Sequence, residues 1–196
     1  MLSRMSEHHD APSGILIDLH AGADRAGEIT EVMHRAFMEY TRKGERSSAM
    51  LETPESLRRE MREGTRIGVA HMRDAEAARR LDGDEESRPE RQIGNRIDNH
   101  IVAMVKYRAG DGGTLYFCRL AVLPEFRGLG IAGMLVRSLR AEAWATGFAG
   151  LSCTVRAQET GNIAMYEQLG MTVAGHGHVV SATKIKRAVV HMRDAC

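Results

Sequence analysis

Between residues 127 and 132 the chain reads Arg127-Gly128-Leu129-Gly130-Ile131-Ala132, a spacing suited to holding an anion. Gly128 and Gly130 let the main chain come close to a bulky group, so several N–H donors can point at a pyrophosphate. The helix predicted to start here adds N–H groups without internal partners and the positive end of its dipole. Arg127 adds a fixed positive charge at the mouth. The same glycines also suit a plain, tight strand-to-helix connection. Farther along, Asn162 and Tyr166 stand four apart in a segment that reads as short helix, which puts an amide and a phenol on one helical face.

Two familiar phosphate loops fit less well. A P-loop requires Lys-Ser or Lys-Thr after its glycines, and neither follows here. Gly128, Gly130 and Gly133 complete the spacing of a dinucleotide loop. That loop, however, lies far along the chain, and the next strand, Leu151 to Val155, is ended by Arg156 rather than by an acid. Three cysteines, Cys118, Cys153 and Cys196, are too few and too scattered for a disulfide framework or a zinc site. Cys118 and Cys153 read as buried free thiols in strands, with no base beside them in sequence to make either a nucleophile. Among the nine histidines, His8-His9 falls in a polar tail and His176-Gly177-His178 lacks a third ligand nearby, so no metal site is expected.

The elements that must position these residues follow from periodicity. The apolar run Leu115 to Leu123 reads as a strand closed by Pro124, which has no N–H to donate. After the glycines, Ala132, Leu135, Val136, Leu139 and Ala143 fall at helical spacing with Arg137 and Arg140 off the stripe, and Ala149-Gly150 ends that helix. Upstream, Ile15 to Leu19 is a short strand, and Asp24 is placed to cap a helix whose stripe is Ile29, Val32, Met33, Ala36, Phe37 and Tyr40. Lys43 to Ser48 breaks it. Thr53 and Pro54 are cap and first position of a second helix carrying Leu57 and Met61. Arg66 to Met72 is the next strand, and Ile101, Ala103, Val105 and Tyr107 share a face of a long one. Asp111-Gly112-Gly113 then turns it into a hairpin with the Leu115 strand. Thr160 to Gln168 is a short helix closed by Gly170, and Met171 to Ala174 and Thr183 to Met192 are the last two strands. The order describes an α/β fold: a mixed sheet of six to seven strands with helices on both faces.

With 196 residues, 43% of them hydrophobic, one core and one domain are expected, here residues 14–196 behind a polar tail at 1–13. Twelve of the nineteen residues in 73–91 are charged, so that stretch cannot bury much apolar area and reads as a solvated loop. A net charge of +1 gives no reason to invoke nucleic acid or an anionic membrane as partner. No apolar run approaches the roughly 18 residues of a membrane span, and the start has no signal-peptide core, so a cytoplasmic protein is expected.

At the glycine turn and the Asn162 helix the chain resembles the GNAT superfamily of N-acetyltransferases. The family signature Gln/Arg-x-x-Gly-x-Gly/Ala is met by Arg127, Gly130 and Ala132, behind a strand ending Leu120-Ala121-Val122. Some thirty residues on, Asn162, Tyr166, Gly170 and Met171 follow the family's second motif, with Met171 where Phe is more usual. The resemblance spans Ile15 to Met192. It implies a mostly antiparallel sheet splayed between the strands before and after the long helix, and acetyl-CoA as co-substrate. Leu120, Ala121 and Val122 would meet the pantetheine arm, the backbone from Arg127 through Gly128, Leu129, Gly130 and Ile131 to Ala132 the pyrophosphate, and Asn162 the far end of the arm. Unpaired backbone groups in a splay can bond an amide-bearing arm as a strand would.

The resemblance also implies an amine acceptor and Tyr166 as the general acid. A phenol, with reference pKa about 10, is a reasonable acid for a thiolate leaving group. A backbone N–H near Val122 would serve the oxyanion. The base is open: no acid stands on the Leu115 strand, and Glu31, Glu39 and a water chain are not ranked. The leading reading is an acetyl-CoA-dependent N-acetyltransferase. A non-catalytic acyl-CoA-binding module and, more distantly, a nucleotide-binding domain are the alternatives, and assembly as a homodimer is left open.

Overall fold

The computed structural model describes residues 14–42, 47–72, 100–180 and 186–194. The expected tail at 1–13 and charged loop at 73–91 lie outside them. Among the described residues seven strands form one sheet, in the order β1-β2-β3-β4-β5-β7-β6. They are β1 (Ile15–Asp18), β2 (Arg66–Met72), β3 (His100–Ala109), β4 (Leu115–Val122), β5 (Leu151–Arg156), β6 (Met171–Val180) and β7 (Lys186–Asp194). Every pairing is antiparallel except that of β4 with β5. The helices are α1 (Ala26–Arg42), α2 (Pro54–Arg62), α3 (Ile131–Ala145) and α4 (Thr160–Gln168).

Adjacent residues of β3 mark the two faces. Lys106 reaches Glu52, just before α2, and Glu60, within it. Tyr107 stands opposite Phe117 in the register, and Phe117 packs edge-on against Tyr166 of α4. Both faces are therefore covered, which is why every residue from Ile101 to Tyr107 is buried, not only the alternate set of the sequence pattern. The core runs through both layers: Ile29, Met33 and Leu57 below, and Phe117, Leu135 and Leu139 above, are all within 1% of full burial.

Local chemistry explains most boundaries. Thr53 caps α2 in a reciprocal box with Ser56, and Pro54 occupies its first turn. Gly170, at φ +86°, reverses the chain after α4, a backbone that a side chain disfavours. The Asp24 cap is not made. Asp24 lies inside a 3₁₀ turn, Ala23–Arg25, which runs into α1 behind Gly22, and no side chain caps it. Arg140, off the apolar stripe of α3, is drawn in by Asp194 at the end of β7 through a two-pronged contact at 2.7 and 3.0 Å. It also donates to the Leu169 carbonyl at 2.7 Å, fixing the end of α4 against α3. Residues Met171–Val180 form one strand, longer than the apolar pattern suggested.

Candidate active site

The site grows from an interruption in β4. That strand pairs with β5 over only three residues, Leu115–Phe117 against Leu151–Cys153, and from Cys118 onward the two part. On its other side β4 carries a bulge. Ala121 faces Met104 and Cys118 faces Lys106, so Val105 stands opposite two residues, Arg119 and Leu120. An extra residue bends its strand and increases the twist, which turns the second half of β4 away from β5. At the bulge Arg119 has φ +52°, the only positive φ outside glycine among the described residues. Its guanidinium donates to Glu52 at 2.7 Å and to the Ser48 hydroxyl at 2.9 Å.

Beyond the bulge, β4 ends at Val122 and a 3₁₀ turn, Pro124–Phe126, buries Phe126. Gly128 (φ +78°) and Gly130 (φ +73°) then swing the chain into α3, whose first residue, Ile131, is buried. A Cβ on either glycine would meet nothing within 4 Å. These positions are thus glycine for their left-handed backbone and for the open space in front of them, not for packing. No side chain caps α3 at Gly130, which leaves the first-turn N–H groups facing that space.

Two clefts result. The first, about 560 Å³, is lined by all ten residues assigned to the cofactor: Leu120, Ala121, Val122, Arg127, Gly128, Leu129, Gly130, Ile131, Ala132 and Asn162. The second, about 620 Å³, lies on the far side of the splay between the segment around Ser48–Glu60 and strands β5 and β7. Phe37, Leu120, Asn162 and Tyr166 line both. Asn162 is not the cap of α4, a position held by Glu159. Tyr166, 7% exposed, is set at the junction by its edge-to-face contact with Phe117, with ring centroids 5.5 Å apart.

Arg127 is turned differently from the sequence expectation. Its guanidinium points back to α1, donating to the Ala36 carbonyl at 3.0 Å and pairing with the Glu39 carboxylate. Its Nε donates to the Val122 carbonyl at 3.2 Å. The positive charge at the mouth is therefore neutralised by Glu39, and the side chain buttresses the turn. The exposed Arg137 of α3, placed in the sequence only as off-stripe, lines the same cleft.

Of the acids named as candidate bases, neither Glu31 nor Glu39 lines either cleft. The carboxylates that do are Glu52, Glu60 and Glu159, all in the second. Burial would raise the Glu52 carboxyl, but the hydrogen bond from Lys106 and the charges of Arg119 and Lys106 outweigh it and hold its pKa below the ordinary value. Burial would likewise lower Lys106, and its bonds to Glu52 and Glu60 raise it instead. Tyr116, read from sequence only as a strand residue, contributes a second phenol to this cleft, its pKa raised by burial. Cys118 and Cys153 line it as thiols: burial raises both, Cys153 to about 12. A thiol that stays protonated at neutral pH is a poor nucleophile. Among the described residues no group of three metal-binding side chains converges, and no helix is long and apolar enough to cross a membrane.

The acetyltransferase (GNAT) family model matches residues 54–171, the stretch that holds both the glycine turn and the Asn162–Tyr166 helix. The chain belongs to the GNAT family of acetyltransferases. Its sheet, open at β4–β5, is that of other GNAT structures. A GNAT acetyltransferase from Streptococcus pneumoniae superposes with a TM-score of 0.62 at 14% identity, over 92% of this chain and 98% of that one. The ribosomal-protein-S18-alanine N-acetyltransferase of Escherichia coli gives 0.61 at 17% identity over 92% of each chain. A Bacillus anthracis acetyltransferase solved with acetyl coenzyme A gives 0.50 at 13% identity, over 68% of this chain and 63% of that one. At such identities the likeness is one of fold. None of the curated proteins matches the chain.

Proposed function

We propose that this GNAT protein is an acetyl-CoA-dependent N-acetyltransferase that acetylates a primary amine of a small molecule, peptide or protein by direct transfer. The observation that carries the reading is the junction. Among the described residues, the cofactor cleft and a second chamber meet where Phe37, Leu120, Asn162 and Tyr166 line both, so an acyl group reaching through the splay is delivered into that chamber. The pyrophosphate of acetyl-CoA sits against the backbone of Gly128 to Ala132. Its arm runs along Leu120 to Val122, whose β5-facing groups have no strand partner, and Asn162 meets its far end.

In the reaction the neutral amine attacks the thioester carbonyl. The C–N bond forms as the C–S bond breaks, and a backbone N–H near Val122 bonds the oxyanion. The amine proton leaves to water, and the thiolate takes a proton from the Tyr166 hydroxyl, which solvent then restores. Direct transfer is favoured over an acetylated cysteine because both thiols in the chamber are held protonated by burial. The acceptor wall is mixed in charge, with Glu52, Glu60 and Glu159 against Arg119, Arg156 and Arg187, which argues against a polycationic acceptor.

The test has two parts. Calorimetric titration with acetyl-CoA, CoA and NAD should give binding of the first two only. Thiol release with a panel of primary amines should then exceed the rate without amine. Binding of acetyl-CoA with no release from any amine would leave an acyl-CoA-binding module, and preference for NAD would overturn the acyl-CoA reading altogether.

A further inference from the structure

The bulge that opens the sheet is occupied by an arginine, in a backbone conformation that L-residues with a Cβ avoid. A left-handed bulge residue is ordinarily glycine. What holds Arg119 there is a carboxylate from another part of the chain. Glu52 takes the Arg119 Nε on one oxygen at 2.7 Å and the Lys106 Nζ on the other at 2.8 Å. Lys106 is the β3 residue opposite Cys118, immediately before the bulge, so the two oxygens of one carboxylate bind the bulge residue of β4 and the β3 residue paired next to it.

Glu52 is itself rigidly mounted. It lies between the turn Ser48–Leu51, capped by Ser47, and α2, capped by Thr53. His34 of α1 contacts its carbonyl at 2.9 Å. Its side chain is 12% exposed and that of Lys106 6%. A buried carboxylate between two cations, fixed at both ends by caps, is an anchor rather than a mobile surface pair.

We propose that Glu52 is a positioning residue: through Arg119 it clamps the bulge of β4 in its left-handed conformation and so keeps the β4–β5 splay open for the acyl-CoA arm. The inference rests on the reading of the splay as the acyl-CoA channel. It also ties the wall of the acceptor chamber, to which Ser48, Glu52 and Glu60 belong, to the strand that carries the cofactor.

The test compares four variants: Glu52→Gln, Arg119→Ala, Arg119→Gly and the double variant Glu52→Gln with Arg119→Gly. Glycine takes a positive φ without a clamp and alanine does not. Glu52→Gln and Arg119→Ala should each lose at least tenfold in acetyl-CoA affinity. Arg119→Gly should bind at least fivefold better than Arg119→Ala, and the double variant should regain affinity over Glu52→Gln alone. Affinity for 3′-phosphoadenosine 5′-diphosphate, the CoA fragment without the arm, should stay within twofold throughout, since it needs only the glycine turn. Equal damage from glycine and alanine would overturn the clamp and make the guanidinium a substrate contact. Parallel loss of the fragment would reduce Glu52 to general stability. A ligand-free arm separates the clamp from the acyl-CoA reading: the HN–Hα coupling of residue 119 in labelled protein should move toward the extended-strand range in Glu52→Gln. An unchanged coupling overturns the clamp even if acetyl-CoA binds, and a changed one supports it even if acetyl-CoA does not.

Discussion

The two clefts that meet at Tyr166 are made of different material. The cleft proposed for the cofactor is a backbone object: two left-handed glycines and an uncapped helix start present main-chain N–H groups, and Arg127 beside them is committed to α1. The chamber proposed for the acceptor is a side-chain object, with three carboxylates and three guanidiniums among the described residues of its walls and a buried lysine behind them. On the proposed reading, backbone donors serve a group that every acyl-CoA shares, and they need little from neighbours beyond room. Side chains serve a partner that differs between enzymes of one fold, and they must be anchored before they can discriminate.

The largest effect that would sharpen this contrast is at the junction. Tyr166→Phe should lower turnover by about a hundredfold to ten-thousandfold, the usual range for a lost general acid, while acetyl-CoA affinity stays unchanged. The measurement is kcat and Kd side by side across pH 6 to 10. Loss of both together would make Tyr166 a binding residue, and full turnover would return it to packing against Phe117.

On the backbone side, Gly130→Val should weaken acetyl-CoA binding more than tenfold, above about 1.4 kcal/mol. Its side chain enters the open space proposed for the ligand, and it strains a left-handed position. Gly112→Val is the control. It sits at φ +63° in the β3–β4 turn with equally open surroundings, so it should lower Tm without touching affinity. Equal affinities for the two variants would sink the backbone cradle.

A smaller effect concerns acid. The Glu52 carboxyl is held below its ordinary value, so the stability it contributes is fully present above the unfolded pKa of about 4.3 and is lost as pH falls through the folded value. The Tm difference between the parent and Glu52→Gln should therefore be largest near neutral pH and shrink below about pH 4. A difference that grew on acidification would mean that the carboxylate is not the stabilising form.

The smallest is Thr53→Ala. Loss of the α2 cap should cost about 1 kcal/mol, or roughly 2–4 °C in Tm, with a smaller loss of acetyl-CoA affinity than in Glu52→Gln, because the carboxylate is kept and only one end of its mounting is loosened. A loss of affinity as large as that of Glu52→Gln would show that the mounting of Glu52 matters as much as its carboxylate.

How far the chain could be read depended on how far apart the interacting groups lie. Arg66–Met72 and Thr160–Gln168 have the bounds that their patterns implied, and the Thr53 cap and the Gly170 reversal are where their residue types put them. Each depends on neighbours within one turn. The ten residues assigned to the cofactor line one cleft for the same reason, since they fall in two short segments and one helix position. Asp24 misled because a capping residue type says nothing of whether a 3₁₀ turn precedes the helix. Arg127 misled because its partners lie 88 and 91 residues upstream.

The order of strands and helices, the glycine turn and the shared face of Asn162 and Tyr166 were thus determined by the sequence alone, through periodicity and backbone preference. The family resemblance, too, rested on those local motifs. Only the tertiary structure decided which acids face the chamber and that β4 bulges at an arginine. It also decided that Glu52 reaches Lys106 and Arg119 across 54 and 67 residues. A one-residue difference in register would move those side chains to the other face of the sheet. Register between distant strands is chosen by the packing of the whole core, which no local stretch of sequence contains.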